Sequence, residues 1–396
     1  MLGQRSEDDR DLTVRQEFMR ALHLVKTSVG ASWAYRQMRE LTRLGVEVHV
    51  ALPPGGPLVP RYEGAGVVVH PMPIDLPVRS PWRCPGTLRT LHDLVARIRP
   101  DIIHSHFVGT TLTMRLALGR DHPTPRIFQV PGPLHLEHPL FRRAELATAG
   151  PSDWWVGSCR WTCDRYRRSG VPADRVSLVY YGCDLDEFDR GGPGKLRHEL
   201  GIAPGIRLVG MVAYMYAPKR YLGQARGIKG HEDLIDALTL CLEAVPDLVG
   251  VFIGGAWGDA ETYERRVRSY GEKRLGDRAR FLGTRGDVAE LYPDLDVVVH
   301  PSHSENVGGA AESLLMAVPT IATAVGGLPD FVEPGATGWL VPPRDPARLA
   351  VAILDALGDP ARAQEMALFG QGRARGQLDV RRNARDLLGF YRRVSP

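Results

Sequence analysis

Short, mostly apolar segments of strand length, each followed by a segment of helical period, recur along this chain and restrict its fold more than any other feature. MRALHLV (19–25) is followed by a glycine-containing loop and the amphipathic stretch SWAYRQMRELTRLG, then by VEVHVALP. VVVHPMP (67–73), LRTLHDLVARIRP, DIIHSHF (101–107), a helix over about 110–119, RIFQVPG (126–132), DWWVGS (153–158) and SLVYYG (177–182) continue the alternation. Strands without a polar face cannot leave one side in water, so they belong to a parallel sheet covered on both faces by crossover helices. After GGPGK (191–195), a turn or linker, the pattern restarts: RLVGMVAY, HEDLIDALTLCLEA, LVGVFIGG, a charged helix near 260–274, ARFLG, DVVVHPS, TIATAV and GWLVPP. A chain of 396 residues exceeds the usual reach of one hydrophobic core. The expectation is therefore an α/β protein with two Rossmann-like doubly wound domains facing across a cleft. The first domain spans 19–190 and the second 191–375. A polar tail over 1–18 is expected to be disordered, and an amphipathic helix within 376–396 to return toward the first domain.

Composition removes several function classes. With 43% hydrophobic and 24% charged residues the chain is of ordinary globular type, and a net charge of +4 over this length points to no nucleic acid partner. No apolar run is long enough for stable membrane insertion, and the tail MLGQRSEDDRDLTVRQEF is unlike a signal peptide, so a cytoplasmic location is expected. Cys84, Cys159, Cys163, Cys183 and Cys241 are scattered, as reduced thiols would be. Cys159 and Cys163 have no further ligand cluster nearby, so no metal site is expected.

The chemistry concentrates in PSHSENVGGAAESLLMAVPTIATAVGGLPDFVEPGATGWLVP (301–342). Here a strand ends, Glu305 is presented, Gly308 and Gly309 follow, and a helix carrying Glu312 begins. Seven positions are close to two helical turns, which would direct both carboxylates to one side. Glycines at a helix start expose N–H groups that attract phosphate. A carboxylate such as Glu312 can accept from two neighbouring hydroxyls, the arrangement a ribose presents. Either glutamate alone would pass for a surface charge. Together they suit a nucleoside diphosphate carrying a sugar.

This stretch resembles the signature of the retaining GT-B glycosyltransferases of family 4, in which two glutamates are joined through seven residues inside PS–E–G–G–E–A–GVP. Counting back from Val318-Pro319 places Glu312 at the second glutamate, leaving six intervening residues after Glu305 rather than seven. The resemblance implies that Glu312 holds the ribose, that Glu305 contacts the donor sugar near the reaction centre, and that Gly308 and Gly309 face the phosphates. It also implies an arginine and a Lys-Gly pair on the loop after the second domain's first strand. Lys229-Gly230 fits. The arginine position is open among Lys219, Arg220 and Arg226 because the loop is expanded, with Arg226 and Lys219 ranked first. Gly283 and Arg285 stand where the family reads the base, and Gly30 where a glycine-rich turn touches diphosphate.

In the first half, His106 at a strand end is a candidate for lining the cleft, and His135 for a donor-sugar histidine that the family places where Pro131 stands here. Tyr181 replaces a usual asparagine. MRALHLVKT, HSHFVGTTLTMRLALGR, FQVPGPLHLEH and MYAPKRYLGQ resemble the later-acting glycosyltransferases of aminoglycoside antibiotic pathways. That implies transfer of a hexose or amino-hexose, such as glucose or kanosamine, from a UDP-sugar to a pseudodisaccharide containing 2-deoxystreptamine. His106, His135 and Glu137 are the acceptor-side candidates, with Glu145 further along the same segment. Retention would need no enzyme nucleophile: Lys229, a basic neighbour such as Arg226 and the helix start would stabilise the leaving diphosphate. No cofactor beyond the donor is implied. Other readings are a family 4 transferase of another pathway, a UDP-sugar epimerase of the same architecture, and a non-catalytic sugar-binding protein. The DLD triplets at 184–186 and 294–296 leave a metal-dependent transferase of the other major fold to be tested against the architecture.

Overall fold

Every strand pairing in the computed structural model is parallel, as expected for strands apolar on both faces. The structure describes residues 19–77, 80–188 and 192–395. The expected tail over 1–18 and the expected boundary at 190/191 lie outside them.

The first sheet consists of β1 (Arg20–Leu24), β2 (Glu47–Leu52), β3 (Val68–Pro71), β4 (Ile102–Ser105), β5 (Arg126–Val130), β6 (Asp153–Gly157) and β7 (Val176–Leu178), in the order β3-β2-β1-β4-β5-β6-β7. The second consists of β8 (Leu208–Val212), β9 (Val249–Ile253), β10 (Ala279–Gly283), β11 (Val297–His300), β12 (Thr320–Thr323) and β13 (Trp339–Val341), in the order β10-β9-β8-β11-β12-β13. Both orders reverse beside the first strand of the unit. That switch point opens a crevice at the strands' carboxyl ends, where ligands bind in such sheets. This is the two-domain Rossmann-like architecture of GT-B enzymes, and it excludes the other major transferase fold.

The two sheets differ in what covers them. On one face of the first, Val48, Val50 and Ile127 pack with Met38 and Leu41 of helix Ser32–Arg43 and with Leu387, Leu388 and Tyr391 of helix Val380–Val394. The chain therefore returns to the first domain at its far end. Helix Pro360–Leu378 packs on helix Gly309–Leu315 of the second domain, so the return falls at Asp379. There Cys183 N donates to Leu378 O (2.6 Å) and Val380 N to Cys183 O (3.1 Å), joining the two segments that cross between domains.

Behind β5 and β6 lies a wholly buried ionic group. Arg115 pairs with Glu145 (2.8 Å) and Asp153 (3.0 Å), and Arg126 pairs with Asp153 (2.6 Å). Two cations and two anions balance within it, which is what makes full burial of the four tolerable. Glu145, expected near an acceptor, is fixed here by Arg115 and by the Trp155 indole N–H (3.0 Å) instead.

Candidate active site

The carboxyl end of β8 leads through the expanded loop to Lys229, and the carboxyl end of β11 leads to Glu305. The loops are joined by a backbone bond from His303 N to Ile228 O (2.8 Å). The Lys229 ammonium donates to Glu305, and both side chains are largely buried. Burial alone would raise the Glu305 carboxyl, but Lys229 and the Asn306 N–H outweigh it and the net shift is downward. The same pairing overcomes the effect of burial on Lys229 and raises it. At neutral pH this is an ionised pair at the mouth of the second sheet.

Glu305 stands outside the following helix, Gly309–Leu315. Gly308 has φ 47°, and a methyl group there would sit 2.8 Å from the Glu305 carboxyl carbon. Helical spacing therefore does not relate the two glutamates, and the expectation of one shared face is corrected. Glu312 lies in the helix's first turn and accepts from the Tyr292 hydroxyl (3.2 Å). Burial raises its carboxyl, with Arg36 of the first domain and Tyr292 pulling the other way. Arg36 Nε is buried without a hydrogen-bond partner among the described residues. Sequence reasoning missed Arg36, which lies nearly 280 positions from the carboxylate it influences. With only seven residues, the helix adds a small field at Gly308 and Gly309, and Lys229 is the stronger attraction for a phosphate.

Several candidates are bound elsewhere. Arg226 pairs with Asp233 (2.5 Å) and Asp236 (2.7 Å) on helix His231–Cys241, so its charge is neutralised away from Lys229. Arg285 is held by Glu199 (2.5 Å) and Asp287 (2.8 Å). Lys219 and Arg220 are exposed and show no ion pair among the described residues, leaving them as the loop's available cations. Gly283 (φ 67°) accepts at its carbonyl from Gly254 N (2.8 Å), closing the sheet's outer edge.

The first-domain histidines are corrected more strongly. His106 is 0% exposed and does not line the cleft. Its Nε2 meets His23 Nδ1 (2.9 Å), and its Nδ1 meets the Tyr181 hydroxyl (3.0 Å), which donates to Gln129 O (3.1 Å). His104 joins the same chain through Tyr391. His23, His104 and His106 are close enough to hold a metal ion. Yet their rings lie within 29° of parallel, so the lone pairs do not converge, and every ring nitrogen except His104 Nε2 has a partner. Burial drives the His23 imidazole down to about 3 and lowers the other two strongly. His135 faces inward to Tyr166 (3.2 Å), and burial lowers it to about 4, so it is a core residue and not a sugar contact.

Glu137 occupies a different position. The segment after β5 forms two short helices, Leu134–Glu137 and Pro139–Ala147. Glu137 ends the first and is partly buried against Ser304 of the second domain. Burial raises its carboxyl, and Ser304, Arg344 and Arg165 oppose the shift. The neighbouring Asn306 Nδ2 donates across the cleft to Ser158 Oγ (2.9 Å). Glu137 is therefore next in space to the Lys229–Glu305 loop.

Residues 30–187 match the family described as Glycosyltransferase Family 4, and residues 220–372 match Glycosyl transferases group 1. Among curated proteins, the D-inositol 3-phosphate glycosyltransferase of Frankia alni is 29% identical, with 89% of this chain and 91% of that protein covered. Its counterpart in Actinosynnema mirum is 28% identical, covering 89% and 88%. Among solved structures, Anabaena HepE in complex with UDP superposes with TM-score 0.76 at 21% identity, covering 94% of this chain and 99% of that one. Sucrose-phosphate synthase from Thermosynechococcus elongatus gives 0.77 at 20%, covering 95% and 99%.

Proposed function

This chain being a GT-B glycosyltransferase with a family 4 first half and a group 1 second half, we propose that it transfers a hexose or amino-hexose from a UDP-sugar to a cyclitol-containing acceptor, with retention at the anomeric carbon. The acceptor we favour is a 2-deoxystreptamine pseudodisaccharide. The observation that carries the reading is the buried Lys229–Glu305 pair at the mouth of the second sheet, with Glu137 of the first domain beside its loop. Lys229 has three donor protons, so it can keep Glu305 and still hold a diphosphate oxygen. Negative charge accumulates on that oxygen as the glycosidic bond breaks, and a fixed, half-desolvated ammonium then counts for more than one in water. Glu305, kept ionised by Lys229, accepts from the donor sugar's hydroxyls in this reading. Glu312 accepts the ribose hydroxyls. The incoming acceptor hydroxyl gives its proton to the departing phosphate, so no protein base is needed.

The first-domain contribution is the carboxylate of Glu137, held partly away from water, which suits an ammonium group on the acceptor. The names of the curated relatives favour a second reading, a phosphorylated cyclitol such as inositol 3-phosphate. Both acceptors present a hydroxylated six-membered carbocycle and differ in the sign of their charge. Mass spectrometry of products from a matrix of nucleotide sugars against 2-deoxystreptamine pseudodisaccharides, inositol 3-phosphate and neutral hexoses decides between them. Transfer to the aminated acceptors is expected. Transfer to inositol 3-phosphate alone would replace the acceptor, and free nucleotide with an epimerised sugar would replace the reaction.

A further inference from the structure

The loop after β12 reaches across the cleft and supplies a carboxylate to the first domain. Helix Arg160–Arg168 has no acidic residue in its first turn, and its N-cap residue, Cys159, gives no side-chain acceptor to the free N–H groups there. A helix start in that condition favours a carboxylate from elsewhere. Asp330 of the second domain takes the place. Its Oδ2 accepts from the Arg160 N–H (2.8 Å) and from the Tyr180 hydroxyl (2.9 Å), both of the first domain. Around this contact Cys159 and Tyr180 pack with Val307, Leu328 and Phe331, and the Tyr180 and Phe331 rings meet edge-on at 5.1 Å between centroids.

The same loop is tied to Glu305. Asp330 N donates to Gly327 O (3.1 Å) and Gly327 N to Asn306 O (3.0 Å), so two backbone bonds lead from Asp330 to the residue after Glu305. The turn presses on both domains. A methyl group on Gly327 would sit 2.6 Å from Cys159 Cβ, and one on Gly326 would overlap Glu305 O. The same point on Gly326 lies 3.5 Å from Pro133 of the first domain, which opens the short helix ending at Glu137. One turn, residues 326–330, therefore touches the Glu305 loop of the donor half and the Glu137 segment of the other half.

Transfer between two substrates held by different domains depends on how those domains are aligned, and a misplacement of about 1 Å can cost about a hundred-fold in rate. We propose that Asp330 is a positioning residue: by bonding to Arg160 and Tyr180 it fixes the Glu305 loop against the first domain and sets the register of donor and acceptor. It acts through Glu305 and its neighbours and touches neither substrate. This rests on the transferase reading above and adds the contact that holds the two half-sites together. Both bonds end on one oxygen. An amide carbonyl has two lone pairs and can keep both, so the geometry of the contact matters and its charge does not.

The test compares Asp330→Ala, Asp330→Asn and Tyr180→Phe in the full-length protein, with Asp359→Ala as control. Asp359 caps helix Pro360–Leu378 through Arg362 N (3.1 Å), so its removal costs a helix cap without touching the contact at Asp330. With the nucleotide sugar and acceptor that the wild-type protein uses, Asp330→Ala should lower kcat about ten- to a hundred-fold. Calorimetric titration with UDP should be nearly unchanged. Asp330→Asn should keep most of the rate, Tyr180→Phe should lose part of it, and Asp359→Ala should lower the melting temperature alone. X-ray scattering in solution reads the contact without turnover: the radius of gyration should rise in Asp330→Ala and hold its wild-type value in Asp330→Asn. An unchanged kcat or an unchanged radius in Asp330→Ala would overturn the proposal. So would an equal loss of rate in Asp330→Asn or Asp359→Ala, or a loss of UDP affinity as large as the loss of rate. A wild-type protein that turns over no nucleotide sugar would remove the transferase reading, and the contact would then stand or fall on the scattering.

Discussion

The two sheets share a topology but place their polar groups in opposite ways. The first turns them inward: His23, His104 and His106 form a hydrogen-bonded chain, and Arg115, Arg126, Glu145 and Asp153 form a neutral group with no exposure to speak of. The second brings them to its mouth, where Lys229, Glu305, Tyr214 and Trp257 each remain partly exposed. A buried polar group bonded within the protein has little left for a ligand, and the atoms of this set that keep no partner among the described residues, such as His104 Nε2 and Glu145 Oε2, are shut off from solvent. Only groups with spare bonding capacity at the strand ends can act on a ligand.

Breaking the inward set should cost the most, and the loss should appear in stability. Arg115→Ala leaves Asp153 to Arg126 and Glu145 without its cation, and removing one partner of a buried pair destabilises by about 3–5 kcal/mol. Chemical denaturation should show it as a lower midpoint, with little change in KM for enzyme that remains folded. An unchanged midpoint would mean that the four charges do not act as a unit. Lys229→Ala should act chiefly on activity. It should lower kcat/KM for donor about ten- to a hundred-fold, as expected for a charged hydrogen bond of about 1.5–3 kcal/mol. Because it leaves Glu305 unpaired it should also lower the melting temperature, less than Arg115→Ala since both side chains keep some exposure. Near-normal donor kinetics in that variant would move the nucleotide site elsewhere.

Glu137 lies between the two sets, and its pH dependence should show which it belongs to. Its folded pKa is raised above the ordinary 4.5, so the charged form is disfavoured in the native protein and costs stability at neutral pH. If the carboxylate holds an ammonium group, kcat/KM for acceptor should fall as pH drops through that raised value. Glu137→Gln should abolish this acid limb, raise the acceptor KM about ten-fold and slightly increase the melting temperature. A variant with the acid limb intact would take Glu137 out of acceptor binding. The smallest effect is expected at Arg226. Because Asp233 and Asp236 already neutralise it, Arg226→Gln should keep donor KM within about three-fold, and a loss as large as that of Lys229→Ala would restore it as a phosphate ligand.

The fold was legible because strand apolarity and helical period are local signals. The strands and helix Val380–Val394 fall close to the expected segments, whereas helices Pro139–Ala147 and Pro360–Leu378 were not among them. The places of candidate residues in the fold were legible where backbone and side chain act together, as at Gly308 beside Glu305, and at Lys229 just before the glycine that opens helix His231–Cys241. They were not where a partner from a distant part of the chain decides the outcome. Nothing local in ARGIKGHEDLID distinguishes an arginine facing phosphate from one facing Asp233 and Asp236. Nothing in HSH shows that His23, 83 positions earlier, takes one nitrogen of His106. The contact between Tyr214 and Trp257 was hidden for the same reason, since the two rings meet only after two strands pair.

The return of helix Val380–Val394 to the first domain also sets an order of synthesis. Leu387, Leu388, Phe390 and Tyr391 belong to the first domain's core, and the Tyr391 hydroxyl closes its histidine chain. On the ribosome, the first sheet emerges long before them and must wait while the whole second domain is translated. The second domain, whose strands and covering helices come from one uninterrupted stretch, can complete its core sooner after it emerges. The half made first is therefore the half finished last, and a nascent chain halted before residue 380 would expose the apolar face that this helix covers.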